Sequence, residues 1–183
     1  MYGMVNKAVR DLIVENFGEQ RWIEIADNVG VDHHFISMRG YDDKVTFDLV
    51  AKASETLDIP ADDLLRQFGS YWIRFTASEG YGHIVSLFGD SLGEFLENLG
   101  NDLHARVSLT MPELQPPEFY TEKLSETRYR VHYSSHRVGL KPMVQGLLEG
   151  LAIRFEEPAE VKHIESESGE TVREVFEINL LKH

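Results

Sequence analysis

An α+β fold is predicted, with a helical first half and a second half of antiparallel sheet plus helices. Three observations predict it. Up to about residue 90, apolar residues recur at three- and four-residue steps, punctuated by Gly18, Gly30 and Pro60. From Glu118 onward, period-two stretches bracket a single long helical stripe. Between these halves lies MPELQPPEF, where Pro112, Pro116 and Pro117 forbid helix and hold the backbone extended.

The spacing of Val5, Val9, Leu12 and Ile13 predicts a helix over 2–17, ended by Gly18. Trp22, Ile25, Ala26 and Val29 make a second, shorter helix that Gly30 closes, and His33 to Tyr41 shows no period. Asp43 is expected to cap a helix to about Leu57, with Phe47, Val50, Ala51 and Leu57 turned inward. After Pro60 a helix follows from Ala61 to Thr76, with Leu64, Leu65, Phe68, Trp72 and Phe75 on one side. A short helical turn is expected over His83 to Phe88. Ser91-Leu92-Gly93-Glu94 reads as a capping box, and Leu92, Phe95, Leu96, Leu99, Leu103 and Val107 form the stripe behind it. Strands are expected over Phe119–Lys123 and Arg128–Arg137, then a helix from Leu140 to Phe155 that tolerates Pro142 in its first turn. Leu140, Met143, Val144, Leu147, Leu148 and Leu151 face inward on that helix. A hairpin of Val161–Glu165 with Thr171–Leu180 closes the chain, with Val172, Phe176, Ile178 and Leu180 on one face.

A chain of 183 residues can bury one good core, or two lobes that share one. A single domain over 1–183 is expected, a helical lobe of 1–90 packed on an α+β lobe of 91–183. There is no cysteine, which excludes disulfides, thiolate metal sites and cysteine nucleophiles and fits a reducing compartment. Eighteen basic against thirty-one acidic side chains give a formal charge of −13, which repels nucleic acid and anionic membranes. No stretch qualifies as a signal peptide or a membrane span, so a cytoplasmic location is expected.

Enzyme signatures are missing. No phosphate-cradling glycine loop or Gly-x-Ser-x-Gly elbow occurs, and Ser134 or Ser135 beside His136 would face away from it on a strand. No His-Glu-x-x-His helix joins His33, His34, His83, His132, His136 or His163 into a metal set, so these read as surface or hydrogen-bonding residues. What remains is a strand carrying Tyr133, Ser135 and Arg137 at alternate positions. Side chains on a strand alternate faces, so a phenol, a hydroxyl and a guanidinium share one side. A solvated edge carries the same pattern; the functional reading is a clamp for an anion, above all a carboxylate. His104 sits at the margin of an apolar helical stripe, with Gly100 removing bulk one turn earlier. A histidine there is commonly a satisfied core residue, and the functional reading is an axial ligand to a flat cofactor such as haem, whose propionates need a clamp.

Beyond these residues, MYGMVNKAV, LVAKASETL, FGSYW, EGYG, GDSLGEFLENL with DLHARV, PELQPPEF, YSSHR and GLKPMVQGLLEGL follow one another along nearly the whole chain. In these stretches the sequence resembles the haem nitric oxide/oxygen-binding (H-NOX) domains, the family that includes the haem domain of soluble guanylate cyclase. The resemblance implies haem b as cofactor, held between the two lobes, with His104 as its iron ligand. It assigns Tyr133, Ser135 and Arg137 to the haem propionates and Pro117 to pressing on the haem. Oxygen-binding members use a distal tyrosine whose place, aligned on Gly146 and Leu147, falls here on Met143, a thioether that cannot donate. Met1, Val5, Trp72 and Leu147, with Met4, complete the expected pocket; Trp72 could donate through its indole nitrogen, but an apolar packing role is expected for it.

A sensor without catalytic activity is therefore expected. It would bind nitric oxide and carbon monoxide at a five-coordinate ferrous haem, hold oxygen poorly, and signal by release of the His104 helix. The chain leaves no room for an output domain, so the resemblance implies a sensor histidine kinase, a cyclic-dinucleotide enzyme or a fused effector as partner. A haemless scaffold that clamps a lipid carboxylate is the alternative from another class. A peroxidase-like haem enzyme is disfavoured, since no distal His–Arg pair is present.

Overall fold

The computed structural model describes residues 1–78, 88–99 and 115–181. Four helices come first: α1 (Gly3–Phe17), α2 (Glu19–Val29), α3 (Asp43–Leu57) and α4 (Ala61–Thr76). A short α5 (Leu92–Asn98) precedes strands β1 (Glu118–Ser125) and β2 (Arg128–Ser135), then α6 (Lys141–Arg154) and strands β3 (Ala159–Ser168) and β4 (Val172–Leu180). The strands form one antiparallel sheet in the order β1-β2-β4-β3, so the α+β expectation holds.

Local chemistry sets most boundaries where the sequence placed them. Gly18 (φ 89°) ends α1, and Gly30 (φ 77°) ends α2 in the left-handed conformation that glycine adopts without a Cβ penalty. Ser91 caps α5 by accepting from the Glu94 amide at 3.2 Å. The return half of that box is shifted by one residue, since the Glu94 carboxylate accepts from the amide of Asp90, at 3.0 Å, and not from that of Ser91. Two expectations need correction. The cap of α3 is Asp42, whose carboxylate accepts from the Lys44 amide at 2.8 Å; Asp43 is the first helical residue and its side chain is engaged elsewhere. Strand β2 stops at Ser135, so Arg137 lies beyond the sheet, in the bend before α6.

Two apolar clusters result. One packs α1 to α4 around Trp22, Ile25, Leu49 and Phe68; the other packs α5, α6 and the inner sheet face around Leu96, Val131, Leu148 and Phe176. Trp72 packs against both. On α3 the expected inward face splits in two. Thr46, Leu49 and Ala53 are buried, Phe47 and Val50 border a cavity, and Ala51 is exposed. The helix serves a core on one side and a ligand space on another, and a single stripe could not describe both.

Helices α4 and α6 approach closely enough to exclude side chains. A Cβ on Gly146 would lie 1.9 Å from the Arg66 carbonyl oxygen, and one on Gly69 would lie 2.0 Å from that of Met143. Across the same seam the Arg66 guanidinium pairs with Glu149, Nε to Oε2 at 2.8 Å. The seam holds Trp72 on α4 and Met143 and Leu147 on α6 in one wall of the cavity.

Candidate ligand-binding site

Between the helical cluster and the sheet lies a cavity of about 300 Å³. Its walls are almost wholly hydrocarbon: Met4 and Val5 from α1, Phe47 and Val50 from α3, Leu65, Phe68 and Trp72 from α4, Met143 and Leu147 from α6. Pro116 and Pro117 face them from the extended segment ahead of β1, and Met1 stands at the edge. The two threonine hydroxyls in the apolar wall are bonded within the protein. Thr46 donates to the Asn6 side chain at 2.6 Å, and Thr76 donates to the carbonyl of Trp72 at 2.9 Å. The Trp72 ring is fixed by packing, stacked on Phe75 at 5.8 Å and tilted against Phe68 at 6.1 Å.

The polar groups gather at one end. On β2, Tyr129, Val131, Tyr133 and Ser135 all point inward by strand alternation, and the last two reach the cavity. Tyr133 is 3% exposed and Ser135 5%. Cross-strand pairing sets the Tyr133 ring edge-on to Phe119, with centroids 5.3 Å apart. Burial pushes the Tyr133 phenol up against the opposing pull of Ser135 and Arg137, so the hydroxyl keeps its proton and serves as a donor. Ser135 accepts from the Arg137 amide at 3.0 Å, which folds the chain back after the strand and brings the guanidinium to the cavity mouth. Arg137 Nε then donates to Asp43 Oδ2 at 2.7 Å and Nη1 to the Gln115 carbonyl at 2.7 Å.

Asp43, first in α3, was read in the sequence as a cap. It also accepts from the Met1 ammonium, and with Gln115 and Tyr41 it lines a smaller polar hollow of about 290 Å³ that adjoins the main cavity. Burial pushes its carboxyl up, but the hydrogen bonds from Met1 and Arg137 outweigh that and leave it below the usual value. The Asp42-Asp43 pair offered two equivalent caps, so only the position of Arg137 could reveal the second role.

The structure thus brings together Met1, Val5, Trp72, Pro117, Tyr133, Ser135, Arg137, Met143 and Leu147 around one space. His104, expected to ligate iron, lies outside the described residues, as do His83, Gly100, Leu103, Val107 and Pro112. Of the other histidines, His33 bonds Asp27 at 2.7 Å and His163 bonds the buried Glu174 at 2.7 Å, while His132 packs beside Tyr120. Among the described residues no group of three His, Asp or Glu is placed to hold a metal ion. No helix among them is long and apolar enough to cross a membrane.

An apolar cleft with hydroxyl and guanidinium donors at one end fits a flat amphiphile that carries carboxylates, and haem has that form. The fold and the cavity fit a binding domain for such a cofactor. The chain belongs to the family described as Haem-NO-binding, whose model matches residues 2–163. Domains of this family bind haem and sense gases.

Among curated relatives, the soluble guanylate cyclase gcy-37 of Caenorhabditis elegans is 30% identical over 156 residues, covering 83% of this chain and 22% of its own length. The soluble guanylate cyclase gcy-31 of the same organism is 29% identical over 153 residues, covering 83% of this chain and 22% of its own. The chain therefore spans about a fifth of these proteins, the sensor part and not the cyclase. An H-NOX protein from S. oneidensis superposes with a TM-score of 0.89 at 22% identity, over 100% of this chain and 97% of that one. An oxygen-binding H-NOX domain related to soluble guanylate cyclases gives 0.86 at 19%, over 100% and 96%.

Proposed function

We propose that this domain senses nitric oxide and carbon monoxide through haem b and discriminates against oxygen. Haem, when bound, supplies the iron at which a diatomic gas coordinates. His104 would hold that iron, Tyr133, Ser135 and Arg137 the propionates, and Pro117 would press on the ring. The observation that carries the gas selectivity is the composition of the α4–α6 wall. Bound oxygen draws negative charge and gains from a hydrogen-bond donor, whereas nitric oxide and carbon monoxide depend on one far less. Met143 occupies the wall with a thioether, the Thr46 and Thr76 hydroxyls donate to Asn6 and to the Trp72 carbonyl, and the Trp72 ring is packed on Phe68 and Phe75. A phenol at Met143 would reverse this.

The output is proposed to be the release of the segment bearing His104, read by a separate or fused effector such as a sensor histidine kinase, a cyclic-dinucleotide enzyme or a cyclase. The decisive experiment is an absorption spectrum of the purified ferrous protein, first anaerobic, then with nitric oxide, then in air. A Soret band that shifts with nitric oxide and persists unshifted on brief exposure to air supports the reading. A colourless protein that takes no haem would instead favour a lipid-carboxylate binder, and a stable oxygen complex would overturn the selectivity.

A further inference from the structure

Arg137 carries five N–H groups in a rigid plane. Two of them, on Nε and Nη2, face the Asp43 carboxylate at 2.7 and 3.5 Å, and one, on Nη1, donates to the Gln115 carbonyl at 2.7 Å. Among the described residues nothing accepts from the other two, one each on Nη1 and Nη2. The two terminal nitrogens form the end edge of a guanidinium, an edge that a single carboxylate accepts in bidentate fashion. Arg137 also borders both the apolar cavity and the polar hollow beside it, so the residue lies at the cavity mouth.

Asp43 comes from α3 of the helical half, while Arg137 follows β2 of the sheet half. The pairing therefore fixes a long, otherwise mobile side chain from across the cleft. Without Asp43 only the Gln115 carbonyl would hold the guanidinium, and more of its rotamer freedom would be lost on ligand binding.

We infer that Asp43 is a positioning residue of the clamp: it occupies one edge of Arg137 and turns the other toward one carboxylate of the ligand. The inference rests on the haem reading above and deepens it, since it makes recognition of the ligand carboxylate depend on a residue of the opposite lobe. Asp43 does not touch the ligand; it acts through Arg137.

The test loads the full chain with iron protoporphyrin IX or with its dimethyl ester, which has no carboxylate, and follows loss of each to excess apomyoglobin. Asp43→Asn should accelerate loss of the free acid on the order of tenfold, the weight of one charge-assisted contact, and change loss of the ester by less than about twofold. In an Arg137→Lys background, which lacks the two-edged fork, the same substitution should have no further effect. Asp43→Glu, which keeps an anionic acceptor, should recover part of the loss.

Equal acceleration of acid and ester would make Asp43 a merely structural residue and overturn the inference, as would no change in either. A wild-type chain that holds acid and ester equally would refute the carboxylate clamp itself, and the inference with it. A wild-type chain that discriminates while Asp43→Asn discriminates as well refutes the inference alone.

Discussion

Gly146 of α6 rests against the backbone of Arg66 on α4, so closely that a Cβ would meet its carbonyl oxygen at 1.9 Å. Only backbone would be available to move, because the obstructing atom is not the end of a flexible side chain. Gly146→Ala should therefore destabilise the fold by about 3 kcal/mol, at the upper end for overpacking. That corresponds to a fall of roughly 10 °C in Tm for a chain of this size, measurable by calorimetry. An unchanged Tm would show that the two helices are less intimate than described.

The clamp residues should contribute unequally to cofactor retention. Arg137→Ala removes a charged donor and also leaves Asp43 with Met1 as its recorded partner. Its cost should be about 2 kcal/mol, near thirtyfold in the rate of haem loss. Tyr133→Phe removes one neutral hydroxyl and keeps the ring against Phe119, so about 1 kcal/mol, near fivefold, is expected. The reverse order would assign the anionic ligand group to the phenol.

Acid should undo the link between the lobes. The Asp43 carboxyl lies below its ordinary value in the folded chain. A depressed folded value means that its contribution is fully present above the unfolded value near pH 4 and is lost as pH falls through the folded one. The difference in Tm between wild type and Asp43→Asn should be constant from neutral pH down to about 5 and vanish at lower pH. A difference that persists at pH 2 would place the stabilisation elsewhere.

Met143→Tyr places a phenol donor in the wall shared with Trp72 and Leu147. The ferrous protein should then hold oxygen in air as a stable complex, seen by absorption, while nitric oxide binding changes little. If oxygen is still not held, the limit is the shape that Trp72 and its ring neighbours give the pocket.

These expectations divide by what a sequence can carry. Tyr133 and Ser135 were legible because strand alternation is local, and β2 obeys it to its last residue. Arg137 was read as a third member of that strand, and it reaches the same place by a different route, through a bend fastened to Ser135. The caps at Gly18, Gly30 and Ser91 were legible for the same local reason. Asp43 was not, because Asp42 satisfies the same capping pattern and the partner that decides between them comes from the far end of the chain. The second face of α3 was hidden similarly, since Phe47 and Val50 look like core until a cavity is placed beside them. Gly69 and Gly146 look like weak points of their helices, and their use appears only when the two helices meet.

The seam between α4 and α6 has one more consequence. Because backbone meets backbone there, the helices behave as a fixed frame, while Trp72, Met143 and Leu147 are inserts projecting from it. Inserts can be exchanged without resetting the frame. On the gas-sensor reading proposed above, ligand preference would therefore drift through single substitutions at these three positions while the architecture stands still, and a new chemical sensitivity need not await a new fold.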